Sequence, residues 1–149
     1  MRLISLDFDG VLHPTMEADT VVDTPHFGWL PLLVRMLAPY SDVRLLVHSS
    51  WRTTHDEDEL RLLLGSLGNR VVGAAPHGER YESVLKWLQV HPEVTSFCIL
   101  DDEAGEYPTP PPRELILCQP ASGISSLDVA ARLREWLALG SVDAKVKLG

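Results

Sequence analysis

The stretch RLISLDFDGVLHP, residues 2–14, indicates the fold of this chain. Its apolar start predicts a buried strand, and the strand runs directly into Asp7 and Asp9, which flank Phe8. Gly10 follows, and glycine allows the backbone to turn tightly. Alternate residues of an extended chain point the same way, so the two carboxylates begin on one side of Phe8. Carboxylates this close repel each other unless a positive charge lies between them. We therefore expect a cation at the end of this strand.

Strand and helix patterns alternate along the rest of the chain. Five short apolar segments predict buried parallel strands, at residues 3–8, 43–49, 69–74, 95–102 and 114–118. Four amphipathic or apolar segments predict helices, at residues 28–39, 53–68, 79–92 and 125–140. This order predicts an α/β fold, a three-layer, doubly wound, Rossmann-like sheet of five parallel strands.

Two helix boundaries carry specific expectations. We expect the second helix to start with a threonine cap and to end at Gly65 or Gly68, because glycine commonly follows a helix. The last helix should be capped by Ser125 or Ser126 and should end at Gly140. The tail that follows, residues 141–149, has no strong pattern.

Composition limits the class of protein. The 149 residues suffice for one domain, residues 1–149, with a core that needs no disulfide or metal. A net charge of −8 argues against nonspecific binding to nucleic acid or an anionic membrane. Cys98 and Cys118 lie in apolar strands and are interpreted as core residues. No signal peptide or membrane span is recognisable, so we expect a soluble protein of a reducing, cytoplasmic compartment.

Polar residues capable of chemistry follow three of the predicted strands. Asp7 and Asp9 end the first, Ser49 ends the second, and Asp101 and Asp102 end the fourth. Ligands bind at the carboxyl ends of the strands in such sheets, so these residues should meet at one edge. Oxygen ligands without a histidine or cysteine cluster suit a hard ion such as Mg²⁺, which usually works beside a phosphate.

These segments resemble the motifs of the haloacid dehalogenase (HAD) superfamily of phosphohydrolases. The matching segments, in the family's order, are DFDGV at 7–11, LLVHSSW at 45–51, a basic residue on a later helix, and ILDD at 99–102. The resemblance spans residues 3–102. It implies a Mg²⁺-dependent phosphatase.

The resemblance also implies roles for individual residues. Asp7 would attack phosphorus and form an aspartyl-phosphate, and Asp9 would act as general acid and then general base. Ser49 would bind the transferred phosphoryl group. Mg²⁺ would be held by Asp7, the Asp9 carbonyl, and Asp101 or Asp102. The sequence leaves open which member of that last pair contacts the metal.

The basic residue of the third motif is either Arg80 or Lys86. The helix before the fourth strand should start at the carboxyl edge of the sheet and run away from it. Lys86 would then lie roughly 9 Å farther along the helix than Arg80. We therefore assign Arg80, although the family usually has lysine there.

The intervals between motifs leave no room for a cap domain, which implies an open site. Such a site suits a phosphate on a nucleotide, a nucleic-acid end or another large partner, and the motifs also resemble small HAD domains associated with RNA repair. Ser50, Trp51 and Arg52 are candidate substrate-binding residues, with Trp51 stacking on a base and Arg52 pairing with phosphate. The alternative is a packed tryptophan with a structural arginine. His13 is interpreted as a surface-loop residue, or alternatively as part of the pocket mouth.

Two other functions remain open at this level. A phosphotransferase or mutase would share the aspartyl-phosphate but pass it to an acceptor other than water. A noncatalytic regulatory module would bind Mg²⁺ and phosphate without turnover. The third predicted strand ends without an aspartate, which argues against a receiver-type module.

Overall fold

A five-stranded parallel sheet forms the centre of the protein in a computed structural model that describes residues 1–15 and 26–148. The strands are β1 (Arg2–Leu6), β2 (Val43–Val47), β3 (Val71–Ala74), β4 (Ser96–Asp101) and β5 (Leu115–Leu117). Their spatial order is β3-β2-β1-β4-β5, and every neighbouring pair is parallel. The prediction of a doubly wound α/β sheet is confirmed.

Helices cover both faces of the sheet. They are α1 (Leu30–Leu37), α2 (Glu57–Leu63), α3 (Arg80–Gln89) and α4 (Leu127–Leu148). One core cluster joins α1, α2 and α4 to one face of the sheet, and α3 covers the other face. Among the described residues, the connection from β1 to β2 contains α1 and the connection from β2 to β3 contains α2, with no cap domain in either.

The second helix starts later than the sequence suggested. Asp56 is its cap, and it forms a reciprocal capping box with Glu59: each side chain accepts a hydrogen bond from the backbone N–H of the other residue, at 2.8 and 3.0 Å. Thr53 and Thr54 instead belong to a 3₁₀ turn and its end. The prediction of a threonine cap was wrong because the aspartate three residues before Glu59 satisfies the helix terminus better.

The last helix continues through Gly140 to Leu148, so the prediction that it ends at the glycine was wrong. The side chain of Arg2 explains why a glycine stands within this helix. Its buried guanidinium donates a 2.8 Å hydrogen bond to the carbonyl of Leu137, and a Cβ at position 140 would collide with it. Gly140 therefore makes room for a side chain from β1.

Cys98 and Cys118 are free and buried, as expected of core residues. Among the described residues, none of the helices is long and apolar enough to cross a membrane.

Candidate active site

The alternation of side chains along the strands places the candidate residues on the α3 face of the sheet. Core residues of β1, β2 and β4 on the other face include Ile4, Leu6, Val47 and Leu100. The residues between or beside them therefore point toward α3; they are Ser5, Asp7, His48 and Asp101. The parallel register keeps the strand ends level, with Leu6 paired to both Val47 and Leu100.

Arg80, the first residue of α3, joins two buried carboxylates. Its Nη1 donates to Asp7 Oδ2 at 3.0 Å and to Asp101 Oδ1 and Oδ2 at 2.8 and 3.0 Å. Both carboxylates are almost completely shielded from solvent, while the arginine side chain is 17% exposed. Lys86 lies on the exposed side of the same helix. The cation beside Asp7 is thus Arg80.

Asp101 is saturated with hydrogen bonds. Besides Arg80, its donors are Tyr107 OH at 2.6 Å, His48 Nε2 at 2.9 Å and the backbone N–H of Glu103 at 3.0 Å. Ser5 Oγ lies 2.7 Å from His48 Nδ1. We assign the His48 proton to Nε2, so that it donates to Asp101 and Nδ1 accepts from Ser5. Burial lowers the pKa of His48, in agreement with a neutral ring.

The two buried aspartates have opposite pKa shifts. Burial and the neighbouring charge of Asp101 raise the pKa of Asp7, and Arg80 offsets only part of this. Burial also acts to raise the pKa of Asp101, but hydrogen bonds from His48 and Tyr107 together with the charge of Arg80 outweigh it, so that pKa is lowered. Asp101 is therefore the stable partner of Arg80, and Asp7 needs further positive charge to ionise readily.

The side chain of Asp102 lies against the segment that follows β1. Its Oδ2 accepts a 2.8 Å hydrogen bond from Thr15 Oγ1. Gly10 adopts φ +76°, and a Cβ there would occupy the space of the Asp102 carboxylate. The glycine is thus required both for the turn and for the approach of Asp102. Burial and the charge of Asp101 raise the pKa of Asp102.

One oxygen from each of Asp7, Asp101 and Asp102 lies within 4.8 Å of the other two, so the three carboxylates can surround an ion. Crowded carboxylate oxygens suit Mg²⁺. Because the lone pairs of Asp101 are already used by its five hydrogen bonds, Asp7 and Asp102 are the carboxylates that fit this ion best.

Asp9 is held by two side chains at the entrance of the site. His13 Nε2 lies 2.7 Å from its Oδ1, and Trp51 Nε1 donates to its Oδ2 at 3.0 Å. His13 is 2% exposed, so the interpretation as a surface-loop residue was wrong; it lines the cleft instead. The turn after β1 brings it there, because the backbone N–H of Gly10 bonds the carbonyl of His13 at 2.8 Å.

The residues after β2 occupy different environments. Ser49 is fully buried, and its Oγ accepts from the backbone N–H of Trp51 at 3.2 Å, while Ser50 lines the cleft. Trp51 packs edge-on against Phe8. Arg52 donates to backbone carbonyls, among them those of His48 and Ser49.

Arg52 also donates to the carbonyls of Pro76 and Gly78, and so ties the loop after β2 to the loop after β3. These contacts agree with the interpretation of Trp51 as a packed side chain and of Arg52 as a structural arginine, rather than with base stacking and phosphate pairing.

A cleft of about 370 Å³ opens above these groups. Its lining combines the acids with one arginine and several neutral polar groups: Asp7, Asp9, His13, Thr15, His26, Ser50, Arg80, Asp102 and Glu103. Ser49, Trp51 and Arg52 are not among the lining residues of this cleft.

Three residues of the buried network, Ser5, His48 and Tyr107, were not among the predicted site residues. Ser5 lies within the apolar strand β1 and His48 directly follows the apolar strand β2, and a polar residue in such a position is the signal that could have revealed them. Tyr107 stands in the proline-containing loop after β4, and no local pattern relates it to Asp101.

Comparison with known proteins agrees with this arrangement. A family model described as "HAD domain in Swiss Army Knife RNA repair proteins" matches residues 3–129, which is most of the chain. No curated protein and no solved structure matches the chain significantly. The match includes both carboxylates that Arg80 joins, as well as Asp9 and Asp102. The chain therefore belongs to the family of HAD domains found in Swiss Army Knife RNA repair proteins.

Proposed function

We propose that the protein is a Mg²⁺-dependent phosphomonoesterase that uses Asp7 as its nucleophile. The observation that carries this proposal is the position of Asp7, buried beneath an open cleft and bonded to Arg80 at 3.0 Å, in a chain of the HAD family. A carboxylate placed beside a fixed cation suits in-line attack on a phosphoryl group, whose charge the cation also stabilises.

The reaction divides into two displacements. A carboxylate oxygen of Asp7 bonds to phosphorus while the bond to the leaving oxygen breaks, and Asp9 gives that oxygen a proton. A water molecule then attacks phosphorus, Asp9 takes its proton, and the bond to Asp7 breaks to release inorganic phosphate. Asp9 is suited to this exchange because its side chain is 43% exposed at the cleft.

Arg80 would bind the phosphoryl oxygens. Among the described residues, Arg80 makes its hydrogen bonds through Nη1, which leaves Nε and Nη2 as donors for substrate. Ser49, to which the family resemblance gives the same role, is fully buried and outside the lining of the cleft, so we assign the phosphoryl contact to Arg80.

Asp7 and Asp102 would hold Mg²⁺ together with the carbonyl of Asp9. The ion would supply positive charge that lowers the pKa of Asp7 and neutralises phosphoryl oxygens. We choose Asp102 over Asp101 because the latter already accepts five hydrogen bonds.

The cleft supports a single terminal phosphate as the recognised group. Within the described residues, its lining contains one arginine and four carboxylates, Asp7, Asp9, Asp102 and Glu103. Such a lining has little to attract further phosphates of an extended backbone. We therefore propose a phosphorylated nucleotide or nucleic-acid end, in keeping with the RNA-repair description of the family.

The test is hydrolysis of p-nitrophenyl phosphate with Mg²⁺ and with EDTA, alongside Asp7→Asn. We expect metal-dependent release of phosphate that the variant lacks. Equal, slow rates for both proteins with and without metal would refute the hydrolase and favour a binding role. Sustained release of p-nitrophenol only when an alcohol acceptor is added, with the phosphoryl group on the alcohol and no free phosphate, would instead indicate a phosphotransferase. Oligonucleotides with a 3′ or a 5′ phosphate, compared with a phosphopeptide, would then test the substrate class.

A further inference from the structure

Asp9 is constrained from two sides by the ring N–H groups of two aromatic side chains. Its Oδ1 lies 2.7 Å from His13 Nε2, and its Oδ2 lies 3.0 Å from Trp51 Nε1. His13 is buried and Trp51 is partly buried, while 43% of the Asp9 side chain, which lines the cleft, remains exposed. The carboxyl group is therefore fixed in orientation without being shielded from substrate.

The protonation of His13 follows from its second contact. The backbone N–H of Phe27 donates to His13 Nδ1 at 3.1 Å, so Nδ1 must carry a lone pair rather than a proton. The ring proton is then on Nε2, which donates to Asp9. Trp51 offers only a donor, its indole N–H. Asp9 thus accepts one hydrogen bond on each oxygen from rings that cannot reverse their roles.

Both rings are themselves locked by packing. His13 is 2% exposed and contacts Phe27 edge-on, with ring centroids 5.2 Å apart. Trp51 packs edge-on against Phe8 and Phe27, at 5.7 and 5.3 Å between centroids. Neither ring can rotate away from Asp9 without disturbing the apolar cluster around Phe8. The two donors consequently hold Asp9 from a tightly packed part of the protein.

We infer that His13 and Trp51 are positioning residues that aim the Asp9 carboxyl group at the leaving oxygen of the substrate. This inference rests on the proposed function, because it concerns the step in which Asp9 gives up its proton. Proton transfer by a positioned acid contributes about 10²–10⁴-fold to rate, and it requires hydrogen-bond geometry. A freely rotating Asp9 would spend most of its time outside that geometry.

Two substitutions of His13 separate this role from a purely structural one. In His13→Asn, the amide oxygen lies near the position of Nδ1, so it can still accept from Phe27 but the side chain cannot reach Asp9. In His13→Gln, the amide nitrogen lies near the position of Nε2 and can donate to Asp9. Trp51→Phe is an independent variant that retains an aromatic ring against Phe8 and removes the second donor.

The readout is the dependence of kcat/KM on the leaving group. Phenyl phosphate has a poor leaving group that needs protonation, whereas p-nitrophenyl phosphate has a good one that needs it little. We expect His13→Asn and Trp51→Phe to lose about tenfold more kcat/KM with phenyl phosphate than with p-nitrophenyl phosphate. His13→Gln should recover most of the loss.

The matched control is His91→Gln, which removes a second histidine–carboxylate pair. His91 lies 2.8 Å from Glu93 just after the end of α3, away from the cleft, so both substrates should be hydrolysed at the wild-type rate. Equal losses with both substrates, or a His13→Gln variant as impaired as His13→Asn, would overturn the positioning role while leaving the phosphatase intact. A wild-type protein inactive toward both substrates would overturn the proposed function, and this inference with it.

Discussion

Replacement of Arg80 by glutamine tests the buried ion cluster most directly. The substitution removes three contacts of 2.8–3.0 Å from Asp7 and Asp101, whose side chains are 2% and 0% exposed. Loss of one partner of a buried ion pair costs about 3–5 kcal/mol, because the remaining charge is left uncompensated. We expect the lower end, about 3 kcal/mol, because the raised pKa of Asp7 leaves Asp101 as the carboxylate whose charge loses its partner.

For a chain of this size, about 3 kcal/mol corresponds to a fall in Tm of about 6–12 °C. The assay is thermal unfolding in EDTA, followed by circular dichroism, with Lys86→Gln as control because it makes the same change in charge on the exposed side of the same helix. We also expect kcat/KM of Arg80→Gln to fall about 100-fold or more, since one preorganised donor to a phosphoryl group is lost. A Tm within about 2 °C of that of Lys86→Gln would refute the buried cluster.

Three further predictions concern single residues. Asp7→Asn should raise the Tm measured in EDTA at pH 8. The folded protein holds a proton on Asp7 that the unfolded chain has lost, so the stability of the wild type falls as the pH rises above the ordinary carboxyl pKa of about 4. A variant no more stable than the wild type would contradict this. Gly10→Ala should weaken Mg²⁺ binding in a calorimetric titration, because its Cβ would displace the Asp102 carboxylate; unchanged affinity would exclude Asp102 as a ligand. Gly140→Ala should lower the Tm, although the same change in an open helix raises stability by about 1 kcal/mol, because the new Cβ would collide with Arg2.

Much of the site could be predicted because it depends on the alternation of side chains along a strand and on the direction of the strands in a parallel sheet. Strand alternation and the common edge of parallel strands bring together residues that follow β1 and β4, and they require no knowledge of side-chain packing. The position of Arg80 could be predicted in the same way, because the helix that precedes β4 must begin at the carboxyl edge of the sheet. These features are properties of the backbone pattern.

The environment of each side chain could not be predicted in the same way. Trp51 follows Ser49 in sequence and therefore resembles a substrate contact, but its ring packs against Phe8 and its N–H bonds Asp9. Arg52 donates hydrogen bonds to backbone carbonyls of two loops that come together only in the folded protein. Such choices depend on which partners lie within hydrogen-bond distance, and residues far apart in the chain supply them.

The amino-acid sequence by itself determined the parallel sheet, the edge at which Asp7, Asp9, Asp101 and Asp102 gather, and the family to which the chain is similar. The reason is that strand alternation, the order of strands and helices, and the order of motifs can all be read along the chain without knowledge of side-chain packing. The tertiary structure alone decided that Asp101 is saturated by Arg80, His48 and Tyr107. It likewise decided that Asp102 remains available and that His13 and Trp51 hold Asp9, because these outcomes depend on competition among donors that only packing brings together.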